Sequence, residues 1–364
     1  MLRILVAALL CSACGPITFV THQDNAPPEV AELTIPALAE WIDRYADGKK
    51  GDVRFFNLTR VMKRYDVNRL EAVEIQNTYR DLTRMNVGID RAEALRQAVA
   101  KVKAGQLESG VDLKAMNEAR FIVVFDLDET LYDQYHRNGK DCHTVAFKRA
   151  NGKMKYIQPV PGWEETIKTV HRLGGKVVIF SANLDDTTLA NLAQMTLDGK
   201  PLTESPLISG IMTNSHLIQQ EKTEPPGSPA TPRKGRPVIE PSKDLRFFDP
   251  TLEKVIIVDD NPLRLFQFRN IRLFKKFHAD DWCTTQDEAV KAAYDVAMPT
   301  VAREIESAVE YMNANPDTPF ATAYLPYTPL GQTAVKFIMD GKKWTRAQAM
   351  DFVRRNPKVV DKRF

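Results

Sequence analysis

The sequence predicts an α/β fold: a Rossmann-like core with a central parallel sheet, a short β-hairpin insertion, and helical segments on both sides along the chain. Three short apolar runs carry this expectation, Phe121 to Phe125, Val177 to Phe180 and Val255 to Val258. Continuous runs of this length suit strands buried on both faces of a parallel sheet. Helical patterns at 163 to 173 and 184 to 196 alternate with them, and strand-helix alternation is the mark of the α/β class. Asn151-Gly152, between the flanks of 147 to 157, is a hairpin signal.

Composition sets the outer limits. The chain has 364 residues, 43% hydrophobic and 27% charged, which is ordinary globular content and excludes wholesale disorder or a collagen-like repeat. The length fits two domains or one enlarged domain. Lys and Arg number 50 against 47 Asp and Glu, too even a balance to argue for nucleic acid as a partner. Four cysteines are too few for a disulfide scaffold.

In chain order, residues 1 to 13 have the shape of a secretory signal: Arg3, an apolar run from Ile4 to Leu10, then small residues. The run is too short to span a bilayer. Ser12-Ala13-Cys14 resembles the end of a bacterial lipobox, with Cys11 where that box usually has Leu. Cleavage before Cys14 and its lipidation would make an exported, periplasmic, membrane-anchored lipoprotein. Residues 14 to 29 are polar and Pro-containing, suiting a tether. Residues 30 to 118 read as an N-terminal helical module. Leu38, Trp41, Ile42 and Tyr45 share one helical face that Gly48 stops, and Asp90 to Glu93 opens a helix carrying Leu95, Ala98, Val99 and Val102 up to Gly105.

Residues 119 to 283 form the core. Within it, 221 to 241 hold six prolines and two glycines, an exposed loop. Residues 284 to 364 return to helical patterning. Thr285 to Glu288 is a capping-box signature, and Val301, Ile305, Ala308, Val309 and Met312 make one face. An oxidising compartment would allow Cys142 and Cys283 to pair. Nothing in the sequence brings them together, so two separate, partly buried thiols is the favoured expectation. His136, Cys142 and His143 fit no common zinc spacing. Tyr132, His136 and Arg137 fall where substrate-facing residues are expected.

The chemistry lies just past the strands, where open parallel sheets bind their ligands. Phe125 leads into Asp126-Leu-Asp128-Glu-Thr130, two carboxylates able to converge on one metal or one reacting group. Phe180 leads into Ser181, a hydroxyl suited to a phosphate oxygen. Val258 leads into Asp259-Asp260, carboxylates suited to a hard cation. Lys243, 16 residues before Asp259, can neutralise a bound phosphoryl group. Each of these could instead cap a helix or fill a turn; four together in this order make that reading weak.

FDLDETL, the hairpin, PVPGWEETI at 159 to 167, KVVIFSAN at 176 to 183, SKDL at 242 to 245 and VIIVDDNP at 255 to 262 follow in an order that resembles the haloacid dehalogenase (HAD) superfamily of phosphohydrolases. The branch it is most similar to is the NLI-interacting-factor-like one, which includes the small C-terminal-domain phosphatases. The resemblance covers about residues 120 to 283. It implies Mg²⁺ as cofactor and a set of roles. Asp126 matches the nucleophile that would form an aspartyl-phosphate and also bind metal. Asp128 matches the general acid/base, with its backbone carbonyl on the metal. Thr130 would orient Asp128 or the loop. Ser181 would hold a phosphoryl oxygen, where the branch more often has Thr. Lys243 would pair with the nucleophile and the phosphate. Asp260 would be a direct metal ligand, a place often given to Asn, and Asp259 would hold metal-bound water.

The function expected is a Mg²⁺-dependent phosphomonoester hydrolase acting on a phosphorylated small molecule or a phosphoprotein. The short hairpin implies no large cap domain, and uncapped members tend toward macromolecular substrates such as phosphoserine or phosphothreonine proteins. Export favours nucleotides and sugar phosphates instead. The alternatives are a catalytically silent lipid-tethered scaffold, which the presence of both Asp126 and Asp128 disfavours, and a cytoplasmic protein phosphatase.

Overall fold

Alternating residues of the central strands face opposite layers, and both layers are apolar. In the computed structural model, residues 19–21, 58–86, 88–135, 145–149, 152–222 and 238–363 are described. The chain runs through β1 (Phe19–Thr21), α1 (Leu58–Tyr65), α2 (Arg69–Met85), α3 (Arg91–Lys103), α4 (Leu113–Glu118), β2 (Ile122–Phe125), β3 (Tyr132–Tyr135), β4 (Val145–Lys148) and β5 (Met154–Pro159). It continues through α5 (Trp163–Arg172), β6 (Lys176–Phe180), α6 (Asp185–Leu192), β7 (Thr196–Leu197), β8 (Lys200–Pro201), β9 (Ile208–Met212), β10 (Ile218–Lys222), β11 (Val238–Ser242), β12 (Val255–Asp259) and β13 (Ile271–Leu273). Six helices close it: α7 (Ala279–Thr284), α8 (Glu288–Asp295), α9 (Ala297–Ala314), α10 (Phe320–Tyr324), α11 (Pro329–Lys342) and α12 (Arg346–Arg355), followed by α13 (Pro357–Arg363), the last turns.

The central sheet is parallel with strand order β13-β12-β2-β6-β9, so the fold class is the one expected. The chain leaves β2 toward β6 and β9, then returns to β12 and β13 on the other side. This reversal puts a topological switch point beside β2, where such sheets bind ligands. Ile122, Val124, Val178, Phe180, Val255 and Ile257 face a layer built from α1 to α4, with Val61, Leu70, Val73, Tyr79, Leu95 and Ala98 buried against them. Phe121, Val123, Phe125, Val177, Ile179, Ile256 and Val258 face the opposite layer, where Trp163, Ile167 and Val170 of α5 join Val301, Ile305 and Ala308 of α9. The described helices of segment 30 to 118 therefore share one apolar core with the sheet, as α9 and α10 of segment 284 to 364 share the other. A smaller apolar cluster around Leu325, Ala334, Val335, Ala349 and Val353 joins α11 to α12.

β9 and β13 escape sequence reading. β13 has only three residues, and Ser209-Gly210 interrupts the apolar run of β9. Gly210 is there for close approach: a Cβ would lie 2.3 Å from a Val111 methyl. The expected hairpin is β4–β5, closed by Gly152 at φ 80°, and β3 joins it in an antiparallel sheet of order β3-β5-β4. Two expectations are corrected at their edges. The ends of the Pro-rich segment are strand, because β10 and β11 pair from Ile218↔Ser242 to Lys222↔Val238, and Phe19–Thr21 of the tether adds to the free edge of β10. The cap expected at Thr285 belongs to Asp287, whose carboxylate accepts from the amides of Ala289 and Val290. By contrast, Asp90 caps α3 as read, accepting from Glu93 N. Residues 1 to 18 with Cys14, the pattern at Leu38 to Tyr45, His136, Arg137, Cys142, His143, Asn151 and 223–237 lie outside the described residues. Cys283 is disulfide-bonded, not the free thiol favoured from sequence, and the described residues include no second cysteine.

A buried carboxylate ties the helical layer to the core. Glu74 of α2 accepts from the amides of Glu108 and Ser109, from the Ser109 hydroxyl at 2.5 Å, and from His216 Nε2 at 3.3 Å. His216 Nδ1 accepts from Thr213 N, so Nε2 carries the proton. Burial alone would raise the Glu74 carboxyl, but the bonds from His216 and Ser109 outweigh it and hold it below the usual range. Glu74→Gln should lower stability by about 2 kcal/mol at neutral pH, because charged and geometrically matched acceptors are lost. A depressed carboxyl stabilises above its unfolded pKa of about 4.3 and loses that contribution as pH falls through the folded value. The gap between wild type and Glu74→Gln in urea unfolding should therefore hold from neutral pH down to about 4.3 and shrink below it. An equal gap at pH 3 and pH 7 would refute the charge argument.

Candidate active site

Every expected site residue lies at the carboxyl ends of β2, β6 and β12 or on the segment leading into them. Asp126 is the first residue past β2, and its amide donates to Val258 O at 2.9 Å, locking it beside β12. The loop then turns sharply. Leu131 N and Tyr132 N both donate to Leu127 O, Glu129 N donates to Tyr132 O, and Glu129 adopts φ 60°. A left-handed non-glycine residue costs roughly 1–2 kcal/mol. The loop holds it through Phe277 N, which donates to Glu129 O.

Lys243 is the centre of the site. Its side chain is buried to the ammonium, with Nζ 2.5 Å from Asp126 Oδ1 and 2.7 Å from Asp259 Oδ2. Asp259 Oδ1 accepts from Asn261 N at 2.7 Å. Burial drives the Asp126 carboxyl well above the ordinary range, with Lys243 opposing and Asp259 adding to the rise. Burial would depress the Lys243 ammonium, but the two carboxylates more than compensate and hold it up. Asp260 is raised as well, first by burial and then by Asp259, against Lys276. Asp126 and Asp259 share the one buried ammonium, and Asp260 meets only the half-exposed Lys276 at 3.6 Å, which also serves Glu129, so the site is short of positive charge.

Asp126, Asp259 and Asp260 each place a carboxylate oxygen within 4.8 Å of the others'. Oxygen donors of this kind suit a hard divalent cation. The converging carboxylates and the shortage of positive charge they create make the cluster compatible with a divalent cation such as Mg²⁺. Of the four expected metal residues, Asp128 stands apart: its carboxylate turns toward the opposite wall. Its Oδ1 accepts from Tyr132 OH at 2.9 Å, and its Oδ2 accepts from Asn183 Nδ2 at 2.7 Å and Ser181 Oγ at 3.3 Å. Ser181 thus contacts Asp128 and, through Oγ, Asn183 N. Thr130 does not reach Asp128; its hydroxyl points to Asp260 Oδ1 at 3.5 Å. Lys276 bridges Glu129 and Asp260.

Three contributors, Asn183, Asn191 and Lys155, were not singled out from sequence, and a fourth, Tyr132, was expected in another place. Asn183 holds Asp128 directly. Tyr132 holds it too, and accepts in turn from Asn191 Nδ2 at 2.5 Å; Asn191 Oδ1 accepts from Lys155 Nζ at 3.0 Å. Tyr132 was expected at the entrance, yet it is buried and bonded to Asp128. SAN at 181 to 183 was a readable cue for Asn183, whereas Asn191 and Lys155 come from a helix and a flap strand with no motif of their own.

Residues 121–298 match the family model of the NLI interacting factor-like phosphatases. Among solved structures, fission yeast Fcp1, an RNA polymerase II CTD phosphatase bound to beryllium fluoride, aligns over 63% of this chain and 67% of its own at 13% identity and a TM-score of 0.33. A second structure of Fcp1 aligns over the same shares at 13% identity and 0.32. No curated protein matches the sequence. The family match marks the region around the Asp cluster as a phosphatase domain of the HAD type.

If Asp260 helps hold the cation, Mg²⁺ should raise the melting temperature of the wild type and not that of Asp260→Ala. Saturation at about 100 times Kd corresponds to about 2.7 kcal/mol of added stability. An equal Mg²⁺-dependent shift in both proteins, read by differential scanning fluorimetry, would remove Asp260 from the metal site.

Proposed function

We propose that the chain is a Mg²⁺-dependent phosphomonoester hydrolase working through an aspartyl-phosphate on Asp126, exported and tethered to a membrane through lipidated Cys14. The observation that carries the catalytic part is the buried Lys243 ammonium between Asp126 and Asp259, beside a third carboxylate. A phosphate dianion will not approach bare carboxylates, and this geometry supplies one fixed positive charge where the phosphoryl group must sit.

Asp126, Asp259 and Asp260 would hold Mg²⁺, with the main-chain carbonyl of Asp128 as a further oxygen donor. When bound, the cation supplies charge neutralisation on the phosphoryl oxygens. In the first displacement an Asp126 carboxylate oxygen bonds to phosphorus while the bond to the leaving oxygen breaks, and Asp128 gives that oxygen a proton. In the second, water attacks phosphorus, Asp128 takes its proton, and the Asp126–phosphorus bond breaks to release phosphate. Splitting hydrolysis this way replaces one difficult displacement by two easier ones. Tyr132, Asn183 and Ser181 keep the Asp128 carboxylate in one place for both proton transfers, and Lys243 holds the nucleophile against the equatorial charge.

The substrate is a phosphate monoester of a small molecule or of a protein side chain. The flap of β3, β4 and β5 is small, which leaves room for a phosphopeptide. Export rests on the signal-like residues 1 to 13, and the disulfide at Cys283 is consistent with an oxidising compartment. The anchor in this reading is the lipid on Cys14; among the described residues no helix is long and apolar enough to cross a membrane.

Asp126→Asn should abolish both turnover and acid-stable phosphate on the protein, while Asp128→Asn should slow aryl phosphate hydrolysis by about 10² to 10⁴. EDTA should stop the wild type. Phosphate trapped on another residue, or full activity in chelator, would reject the mechanism. For the anchor, the native protein should partition into the detergent phase and Cys14→Ala should not; a native N-terminus still at Met1 would exclude export by this route.

A further inference from the structure

The Lys243 ammonium is gripped at its tip by two carboxylates, but its backbone must be held as well. Lys243 N donates to Arg264 O at 2.8 Å, and Phe266 N donates to Lys243 O at 3.1 Å. The next residue, Asp244, has a fully buried side chain that accepts from five nitrogen donors, one of them shared between its two oxygens. Its Oδ1 accepts from Arg246 N at 3.1 Å, Arg246 Nε at 2.9 Å and Gln267 Nε2 at 2.7 Å. Its Oδ2 accepts from Arg246 Nη2 at 2.7 Å and from Arg69 Nε at 2.7 Å. Arg246 and Gln267 are local. Arg69 comes from 175 positions away, in the helical layer that precedes the family-matched region.

The place of Arg69 is unusual for a cation. It is the first residue of α2, set there by a capping box in which Asn68 accepts from Glu71 N and Glu71 accepts from Asn68 N. A positive charge at a helix N-terminus opposes the helix dipole. Its compensation is the buried Asp244 carboxylate, and a charge-assisted bond of this length is among the strong ones. We infer that Arg69 is a positioning residue for the phosphatase site: through Asp244 it fixes the turn that aims Lys243 between Asp126 and Asp259, so the N-terminal helical layer is a working part of the catalytic centre. The inference rests on the proposed role of Lys243 in phosphoryl transfer. Without Arg69, Asp244 keeps Arg246 and Gln267, so the fold survives while the turn loosens. Misplacement of a reacting group by about 1 Å can lower a rate by about 10²-fold.

The test compares full-length Arg69→Met with Glu74→Gln, which loosens the docking of the same helix but leaves Arg69 in place. Both are assayed well below their melting temperatures, so the folded fraction is the same. Arg69→Met should lower kcat for an aryl phosphate by about 10- to 100-fold with KM changed less than about threefold, and Glu74→Gln should leave both nearly as in wild type. An activity-independent readout is acylation of Lys243 by an N-hydroxysuccinimide ester, followed by peptide mass spectrometry. Lys243 should be protected in wild type and Glu74→Gln, and labelled at least about fivefold faster in Arg69→Met, as a locally opened turn allows. Unchanged labelling with kcat within about threefold of wild type would overturn the inference. So would parallel losses in both variants, which would mark general loosening of the helix. A wild type inactive on every phosphomonoester would reject the phosphatase reading alone, and the labelling would still decide the role of Arg69.

Discussion

One buried ammonium organises this protein. Lys243 sits between Asp126 and Asp259 where β2 and β12 end side by side, and none of the three is free to leave without stranding a charge away from water. Breaking such an arrangement by removing one partner typically costs about 3–5 kcal/mol, because the remaining charge is left uncompensated. The sheet meets this demand by geometry. The parallel register pairs Phe125 with Val258, so the next residues on both strands, Asp126 and Asp259, emerge together. Lys243 then needs only to be delivered from the side, which the segment after β11 does. The remaining negative charge, on Asp260, is what makes the place suited to a divalent cation.

Much of this was legible in the sequence, for physical reasons. Strands buried on both faces must be continuously apolar, so β2, β6 and β12 announce themselves, and the residues after them are the ones a ligand meets. The parallel sheet and the nearness of Asp126 and Asp259 followed from that, whereas the place of Lys243 beside Asp126 came from the family resemblance and its bond to Asp259 was not foreseen. What was not legible are contacts between distant, individually ordinary polar residues. Glu74 on an amphipathic helix reads as a solvated carboxylate until Ser109 and His216 are seen to converge on it. Arg69 reads as a surface cation, and Asp244 as part of a turn. Lys155 lies on a strand with no run of its own, yet it is buried and bonded to Asn191. None of these pairings leaves a periodic trace, because each depends on how two layers meet.

The two walls of the site are built differently. The wall of Asp126, Asp259, Asp260 and Lys243 is electrostatic: carboxylates and an ammonium, tuned by burial. The wall behind Asp128 is a directional hydrogen-bond chain, in which Lys155 donates to Asn191, Asn191 to the Tyr132 hydroxyl, and Tyr132 to Asp128. Burial and the neighbouring Asp128 push the Tyr132 phenol far above its usual range, so it remains a donor at any pH the protein meets. The order of the chain also fixes its direction. Because Asn191 presents its amide nitrogen to the tyrosine oxygen, the phenol proton has one acceptor left, the Asp128 carboxylate.

That chain joins the flap to the chemistry. Tyr132 opens β3 and pairs with Pro159 at the end of β5, while Lys155 lies near the start of β5, so both belong to the antiparallel sheet inserted after Asp126. A displacement of this sheet cannot leave Asp128 untouched, since its position is read through Tyr132 and Asn191. The opposite wall is tied in the same way to the other side of the molecule, where Arg69 reaches Asp244. Asp128 is thus referenced to the flap and the Lys243 ammonium to the N-terminal helices, with Asp126 fixed between them by the sheet itself. Helices, sheet and flap each fix one side of the site, and its geometry is a property of the whole α/β sandwich more than of the four short motifs that line it.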